Sequence, residues 1–378
     1  MLPLHACSPS TLSQHRTHAV TFPSETITRV LMLHEMSGVS ILRALMPIEY
    51  WLFYVYVWIT PGTPAPCLAK WVIAPVQLCG VSPGGLHCAM LLKHILCINN
   101  AFACQQEMAM TNVSIEENVV IHTVAGRALT VDIFRPADTP GPVPGLLFLP
   151  GGGWQTANRA PLKERYGIRM AQRGYVCVTG EYRVMDEAPW PAQIQDVKAT
   201  IRWMRANSER LGIDPAAIVV GGKSAGGHLA LLAAGTRGVE AFEGDGGNST
   251  VSSEVAAVIG VAPVADLTEF ARRPSMARLF GDNPATETVK AASPMTYTNK
   301  DYPPTLFVHG TADDRVPHAM TMQMYQALEQ AGVPVDLHLY AGQDHFFDQE
   351  PQFSAAVADA MACFMARYAP VQAAVTTV

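Results

Sequence analysis

The stretch Ile218-Val219-Val220-Gly221-Gly222-Lys223-Ser224-Ala225-Gly226-Gly227-His228 joins a β-branched strand to a glycine-flanked serine and the start of a helix. No other part of the chain constrains the fold as strongly. A strand that turns directly into a helix needs residues without bulk at the reversal, and His228-Leu229-Ala230-Leu231-Leu232-Ala233-Ala234 supplies the helix formers that follow. Gly222-Lys223-Ser224-Ala225-Gly226 fits G-x-S-x-G, the turn that lifts a serine Oγ clear of its own backbone, at the cost of backbone strain. Five residues alone fit a plain glycine turn equally well; the strand before and the helix after favour the nucleophile. Gly222-Lys223-Ser224 also ends like a phosphate-binding loop, but that motif requires glycine at position 217, where Ala217 stands.

From Thr111 onward the chain alternates strand and helix patterns. Val119 to Thr123 and Leu129 to Phe134 read as a hairpin turning through Ala125-Gly126. Gly145 to Leu149 is a continuous apolar run, as expected of a strand covered on both faces. The periodicity then predicts a helix over 161–173, a strand at 175–179, a helix over 192–211 and the strand that leads into Ser224. Further strands are expected at 255–261, 305–309 and 335–340, with helices over 317–331 and 352–368. The fold class is therefore α/β, a mostly parallel sheet with helices on both faces. Ligands of such sheets bind beyond the carboxyl ends of the strands.

The first third differs in kind. No aspartate precedes Asp132, and six of the eight cysteines (Cys7, Cys67, Cys79, Cys88, Cys97, Cys104) lie before residue 110. Residues 1–112 are read as an apolar, cysteine-rich leader, 113–370 as the catalytic domain and 371–378 as a tail. Met108 or Met110 is an alternative start for the functional unit. The leader's segment 44–60 contains Pro47 and Glu49 and is short for a membrane span, so an interfacial or buried segment is expected. The 71–98 stretch is interrupted by Pro75, Pro83 and Lys93. Membrane contact through the leader is therefore not the expected role. No secretory signal is evident, and the cytoplasm is the expected compartment. Cys79, His87, Cys88, His94, Cys97 and Cys104 include metal-binding residue types but no C-x-x-C pair, so no metal site is expected. A net charge of −6 without blocks of like charge gives no footprint for nucleic acid.

Three further loops follow predicted strands. Pro150-Gly151-Gly152-Gly153-Trp154 offers backbone N–H groups with no side chains in the way, suited to an oxyanion hole formed by Gly151, Gly152 and Ala225; a flexible glycine turn is the plainer reading. Gly310 to Pro317 carries Asp313 and Asp314, and Ala341 to Phe347 carries Asp344 and His345. The order Ser224, Asp313, His345 is one of the known chain orders of an acyl-transfer triad. His122, His228, His309, His318 and His338 are expected to be structural. Asp314 is expected to cap a turn or face solvent, and Asp344 to be a turn residue adjacent to His345.

Over roughly two-thirds of its length the chain resembles the α/β-hydrolase fold, and within it the carboxylesterases related to hormone-sensitive lipase and the feruloyl and acetyl-xylan esterase-like enzymes. The resemblance rests on Gly151 to Trp154, Glu181-Tyr182-Arg183, Ala188 to Val197, Gly222 to His228, His309 to Pro317, and His345-Phe346. It supports Asp313 over Asp314 as the orienting acid and implies ester hydrolysis without a cofactor; it is weakly specific for substrate, and short-chain or small acyl esters are the expected ones. Three departures stand out. Pro150 occupies the place of the usual histidine, the acid loop is not of the D-P-L-x-D form, and Lys223 replaces the acidic residue common before the nucleophile; the sequence offers no account of that charge reversal.

A cap or pocket wall is expected over 265–302, with Trp154, Trp190, Met295, Tyr297 and Phe346 as candidate pocket residues; ordinary packing is the alternative for each. Peptide or amide hydrolysis by the same triad remains open. So does a catalytically inactive binding module.

Overall fold

The computed structural model describes residues 112–137, 139 and 141–370, together with four short strands earlier in the chain. The chain divides into two units, 1–98 and 99–378. In the first, Ala19–Val20, Leu31–Met36, Val39–Ala44 and Phe53–Tyr56 pair antiparallel in that order. The cysteine and histidine cluster between 79 and 104, the 71–98 stretch and the 371–378 tail lie outside the described residues. Of the 44–60 segment, only Ala44 and Phe53–Tyr56 are described, both as strand. Among the described residues no helix is long and apolar enough to cross a membrane.

The second unit is built on an eight-stranded sheet. Its strands are β1 (Val113–Val124), β2 (Arg127–Pro136), β3 (Val143–Leu149), β4 (Val176–Gly180), β5 (Ile213–Lys223), β6 (Ala257–Val261), β7 (Thr305–Gly310) and β8 (Val335–Tyr340). They lie in the order β1-β2-β4-β3-β5-β6-β7-β8, antiparallel at the β1, β2 and β4 contacts and parallel from β4 onward. The β1–β2 hairpin turns through Ala125 and Gly126, both with positive φ (50° and 81°). That is the twist-compatible two-residue turn.

Four long helices cover the sheet: α1 (Ala192–Ala206), α2 (Ala225–Gly235), α3 (His318–Gln330) and α4 (Pro351–Tyr368). The apolar strands β3 to β6 feed two cores. Leu147, Leu149, Val178 and Val220 meet α1, α2 and α3 on one face. Leu146, Phe148, Val219 and Ile259 meet α4 and the 162–171 segment on the other. Helix α2 is buried on every side from Ala225 to Ala234, as an apolar helix without a polar face must be.

Two expected helices differ in detail. The segment expected at 161–173 is a wide turn at Lys163–Gly167 followed by a short helix at Ile168–Ala171. Gly167 there packs so closely on Phe134 that a Cβ would come within 2.6 Å of its ring. The helix expected over 192–211 divides after Ala206, at Asn207, whose backbone N–H (3.0 Å) and side-chain amide (2.9 Å) both donate to the Trp203 carbonyl. After β6 the chain runs through short helical turns at 274–280, 286–291 and 294–297 before it reaches β7.

Candidate active site

The site is assembled where β3, β5, β7 and β8 end. Ser224 sits between β5 and α2 with φ 55° and ψ −116°, a conformation that a side-chain-bearing residue rarely holds. The glycines around it are required by contact. A Cβ on Gly222 would lie 2.4 Å from the Gly226 carbonyl, and one on Gly226 would lie 2.4 Å from the Pro150 oxygen and 2.5 Å from that of Leu149. The serine turn and the glycine loop after β3 therefore pack backbone to backbone.

His345 Nε2 lies 3.0 Å from Ser224 Oγ, and His345 Nδ1 lies 2.6 Å from Asp313 Oδ2. A carboxylate oxygen only accepts, so Nδ1 carries a hydrogen and Nε2 of the neutral ring faces the serine hydroxyl as an acceptor. Asp313 is itself saturated with donors. Oδ1 accepts the N–H groups of Arg315 (2.9 Å) and Val316 (2.8 Å), and Oδ2 also accepts His309 Nε2 at 3.1 Å. Burial alone would raise its pKa, but the hydrogen bonds from His309, His345 and the Val316 amide outweigh burial and hold the carboxyl well below the usual carboxylate range. Asp314 is exposed beside Arg315. Asp344 accepts the Phe346 N–H at 2.8 Å, as a turn residue does.

Gly151 lies directly against the serine, where a Cβ would come 3.2 Å from both Ser224 Cβ and the Lys223 carbonyl. Gly152 has φ 133°, and its carbonyl accepts the N–H groups of Gln155 (3.0 Å) and Thr156 (3.2 Å). A Cβ on Gly152 would collide with the Thr156 oxygen at 2.2 Å. The amides of Gly151, Gly152 and Ala225 have no backbone acceptor among the described residues. With Pro150 in place of a histidine, the loop is held by other groups: the buried Tyr182 hydroxyl donates to the Pro150 carbonyl (3.0 Å), and Trp154 Nε1 donates to His228 Nδ1 (3.3 Å). His228 Nε2 donates in turn to the Ala292 carbonyl at 2.8 Å. Burial pushes the His228 pKa down to about 4, which keeps the ring neutral. Next to Tyr182, Arg183 forks onto Asp196 of α1 with its Nε and Nη2 between 2.8 and 3.1 Å from the carboxylate.

The candidate pocket residues separate into groups. Phe346 is 47% exposed, with its ring centroid 5.3 Å from that of His345. Trp154 and Trp190 instead pack around His228, at 5.2 and 6.0 Å between ring centroids, in the layer behind the serine turn. Met295 packs against the main core, its backbone tied to Ala265. Tyr297 lies against Gly235, at the end of α2 opposite the serine, and donates its hydroxyl to the Ala291 carbonyl. Ten residues of helix, about 15 Å, separate Gly235 from the start of α2 beside Ser224. Expectation and structure part company at Tyr297, because the turn that carries it packs on the far end of the helix.

Two contacts were not singled out from the sequence. His309, expected to be merely structural, donates to Asp313 and accepts from Thr321 Oγ1 (2.8 Å); its placement four residues before the acid at the end of a strand was the available signal. Asp348, three residues after His345, lies buried against Lys223 with 2.9 Å between Oδ1 and Nζ. No spacing in the sequence ties those two residues together. Among the described residues no cluster of His, Cys, Asp and Glu could hold a metal ion.

A family model described as BD-FAE matches residues 131–328. The chain belongs to the BD-FAE family. The matched span runs from β2 almost to the end of α3, so it takes in Ser224 and Asp313 but stops before His345. Esterase LipQ of Mycobacterium tuberculosis is 35% identical over 219 residues, 55% of this chain and 51% of that protein. The chain spans about half the length of the curated relatives it matches. Among solved structures, a truncated carbohydrate esterase from gut microbiota superposes with a TM-score of 0.60 at 27% identity, covering 68% of this chain and 98% of that one. An esterase from Thermogutta terrifontis gives 0.57 at 31% identity, covering 70% and 97%. This BD-FAE chain thus has the α/β-hydrolase fold of esterases.

Proposed function

We propose that the chain is a serine carboxylic ester hydrolase that acts on small acyl esters through an acyl-enzyme at Ser224. The observation that carries this is the unbroken relay from Asp313 Oδ2 through His345 to Ser224 Oγ, at 2.6 and 3.0 Å. In the proposed reaction His345 Nε2 takes the hydroxyl proton as Oγ attacks the ester carbonyl, and Asp313 holds the imidazole tautomer and stabilises its cation. The oxyanion accepts hydrogen bonds from the Gly151, Gly152 and Ala225 amides, each contributing about 2.7 to 4 kcal/mol in the transition state. The alcohol leaves with the proton from His345, and a water deprotonated by the same nitrogen releases the acid. No step requires a metal or an organic cofactor.

The preference for short acyl groups draws support from the Thermogutta terrifontis esterase, whose structures hold propionate and butyrate. That esterase is also phosphorylated by paraoxon, which suggests the test. Paraoxon should label the protein on Ser224, and short-chain p-nitrophenyl esters should be turned over faster than long-chain esters or aminoacyl amides. Ser224→Ala should abolish labelling and lower kcat by about 10⁴ to 10⁶, about 5 to 8 kcal/mol, with folding retained. Near-normal turnover by Ser224→Ala would rule the mechanism out.

A further inference from the structure

We propose that Lys223 and Asp348 are a positioning pair, a buried ion contact that ties the loop carrying His345 to the turn carrying Ser224 and balances charge behind the imidazole. The inference rests on the serine-hydrolase reading above. Lys223 directly precedes Ser224 and Asp348 follows His345 by three residues. Their 2.9 Å contact therefore joins the two segments whose separation sets the distance from Nε2 to Oγ.

The pair is sealed from water, with the Lys223 side chain 7% exposed and that of Asp348 1%. Nζ and Oδ1 meet as an ion contact, not as an aligned hydrogen bond, and neither atom has another hydrogen-bond partner among the described residues. The charged and titratable groups facing the pair are few. Asp348 Oδ2 accepts the Tyr166 hydroxyl at 2.9 Å and lies 3.4 Å from Arg165 Nη1. The Lys223 ammonium lies 4.8 Å from the centroid of the Phe347 ring, and it is also influenced by Asp313 and Arg165.

Burial opposes both charges, with different results. It pushes the Lys223 pKa below its ordinary value, offset in part by Asp348. It also opposes the Asp348 carboxylate, yet Lys223, Arg165 and Tyr166 together hold that carboxyl below the ordinary range. An ammonium with one acid partner sits beside an acid with three. Apolar side chains of similar volume often pack such a site at no loss of stability, so stability alone does not account for an ion pair at this place.

Each partner's charge should be readable at His345. Lys223→Met leaves Asp348 with less compensation, which favours the imidazolium and moves the acid limb of the kcat/KM pH profile to higher pH. Asp348→Asn leaves Lys223 and Arg165 uncompensated, disfavours the imidazolium and moves that limb to lower pH. Lys223→Met with Asp348→Leu removes both charges and the tether, so its acid limb should lie between those of the single variants. All three should lose about 10- to 100-fold in kcat with KM little changed, the scale of a misplacement of about 1 Å. A merely structural pair would lower stability and leave kcat of the folded variants at the wild-type level.

The experiment measures pH profiles, kcat and KM on p-nitrophenyl acetate, with thermal unfolding alongside. Shifts in the same direction, or wild-type kcat in the folded double variant, overturn the proposal. If a single variant does not fold, the uncharged double variant decides through the same kcat criterion. Paraoxon labelling of the wild type comes first: with labelling present, a negative result overturns the positioning role alone, whereas its absence overturns the hydrolase reading and this inference with it.

Discussion

Replacing Asp313 by asparagine tests the relay through the proton it orders. Four donors converge on this carboxylate: two backbone N–H groups on Oδ1, and two imidazole nitrogens on Oδ2. An asparagine can offer an acceptor to only one of these pairs. The amides of Arg315 and Val316 cannot change role, so the side-chain oxygen stays with them and the NH₂ group turns toward His345 and His309. His345 Nδ1 must then accept, which leaves the hydrogen on Nε2, pointing at Ser224 Oγ. A ring in that tautomer cannot take the serine proton. The expected loss in kcat is about 10⁴-fold, about 5.5 kcal/mol at about 1.4 kcal/mol per decade. The assay is steady-state hydrolysis of p-nitrophenyl acetate near neutral pH, with circular dichroism to show that the variant folds. A folded Asp313→Asn protein within tenfold of wild-type kcat would refute the tautomer argument.

Two more outcomes are expected. Gly226→Ala forces a methyl group to 2.4 Å from the Pro150 oxygen, so the turn or the glycine loop must shift; unfolding measurements should find a loss of about 1 to 3 kcal/mol, and esterase assays a lower kcat at unchanged KM. His228 is buried with its pKa lowered to about 4, against about 6.5 when unfolded. The unfolded chain binds the extra proton between those values, so stability should fall by about 3 kcal/mol as pH drops from about 6.5 to about 4. Denaturant titrations across that window should find the slope reduced in His228→Gln.

The sheet was legible because strands buried on both faces must be apolar throughout, and Leu146 to Leu149, Ala257 to Val261 and Leu306 to Val308 are. The meeting of Ser224, His345 and Asp313 was legible because each follows a strand in a short loop, which brings the three to one edge of the sheet. The helix expected over 161–173 forms over 163–171, but with its first turn widened up to Gly167, which packs on Phe134 in a tertiary contact that no local propensity records. The placement of Tyr297 against Gly235 was not legible, because an aromatic in an irregular stretch gives no indication of which end of a buried helix it will cover. Lys223 was conspicuous but unexplained, since its partner lies 125 residues further along the chain, and nothing in the spacing links them.

The close approach of Gly226 to the Leu149 and Pro150 carbonyls has a consequence for how this scaffold can diversify. With only hydrogen between two backbones, neither the serine turn nor the glycine loop has room to acquire side chains or to slide, so the chemistry-bearing pair is inherited as one rigid block. New substrate preferences must then come from elements that touch the block without forming it. Phe346, exposed beside His345, is one such element, free to change by exchange without disturbing the two backbones.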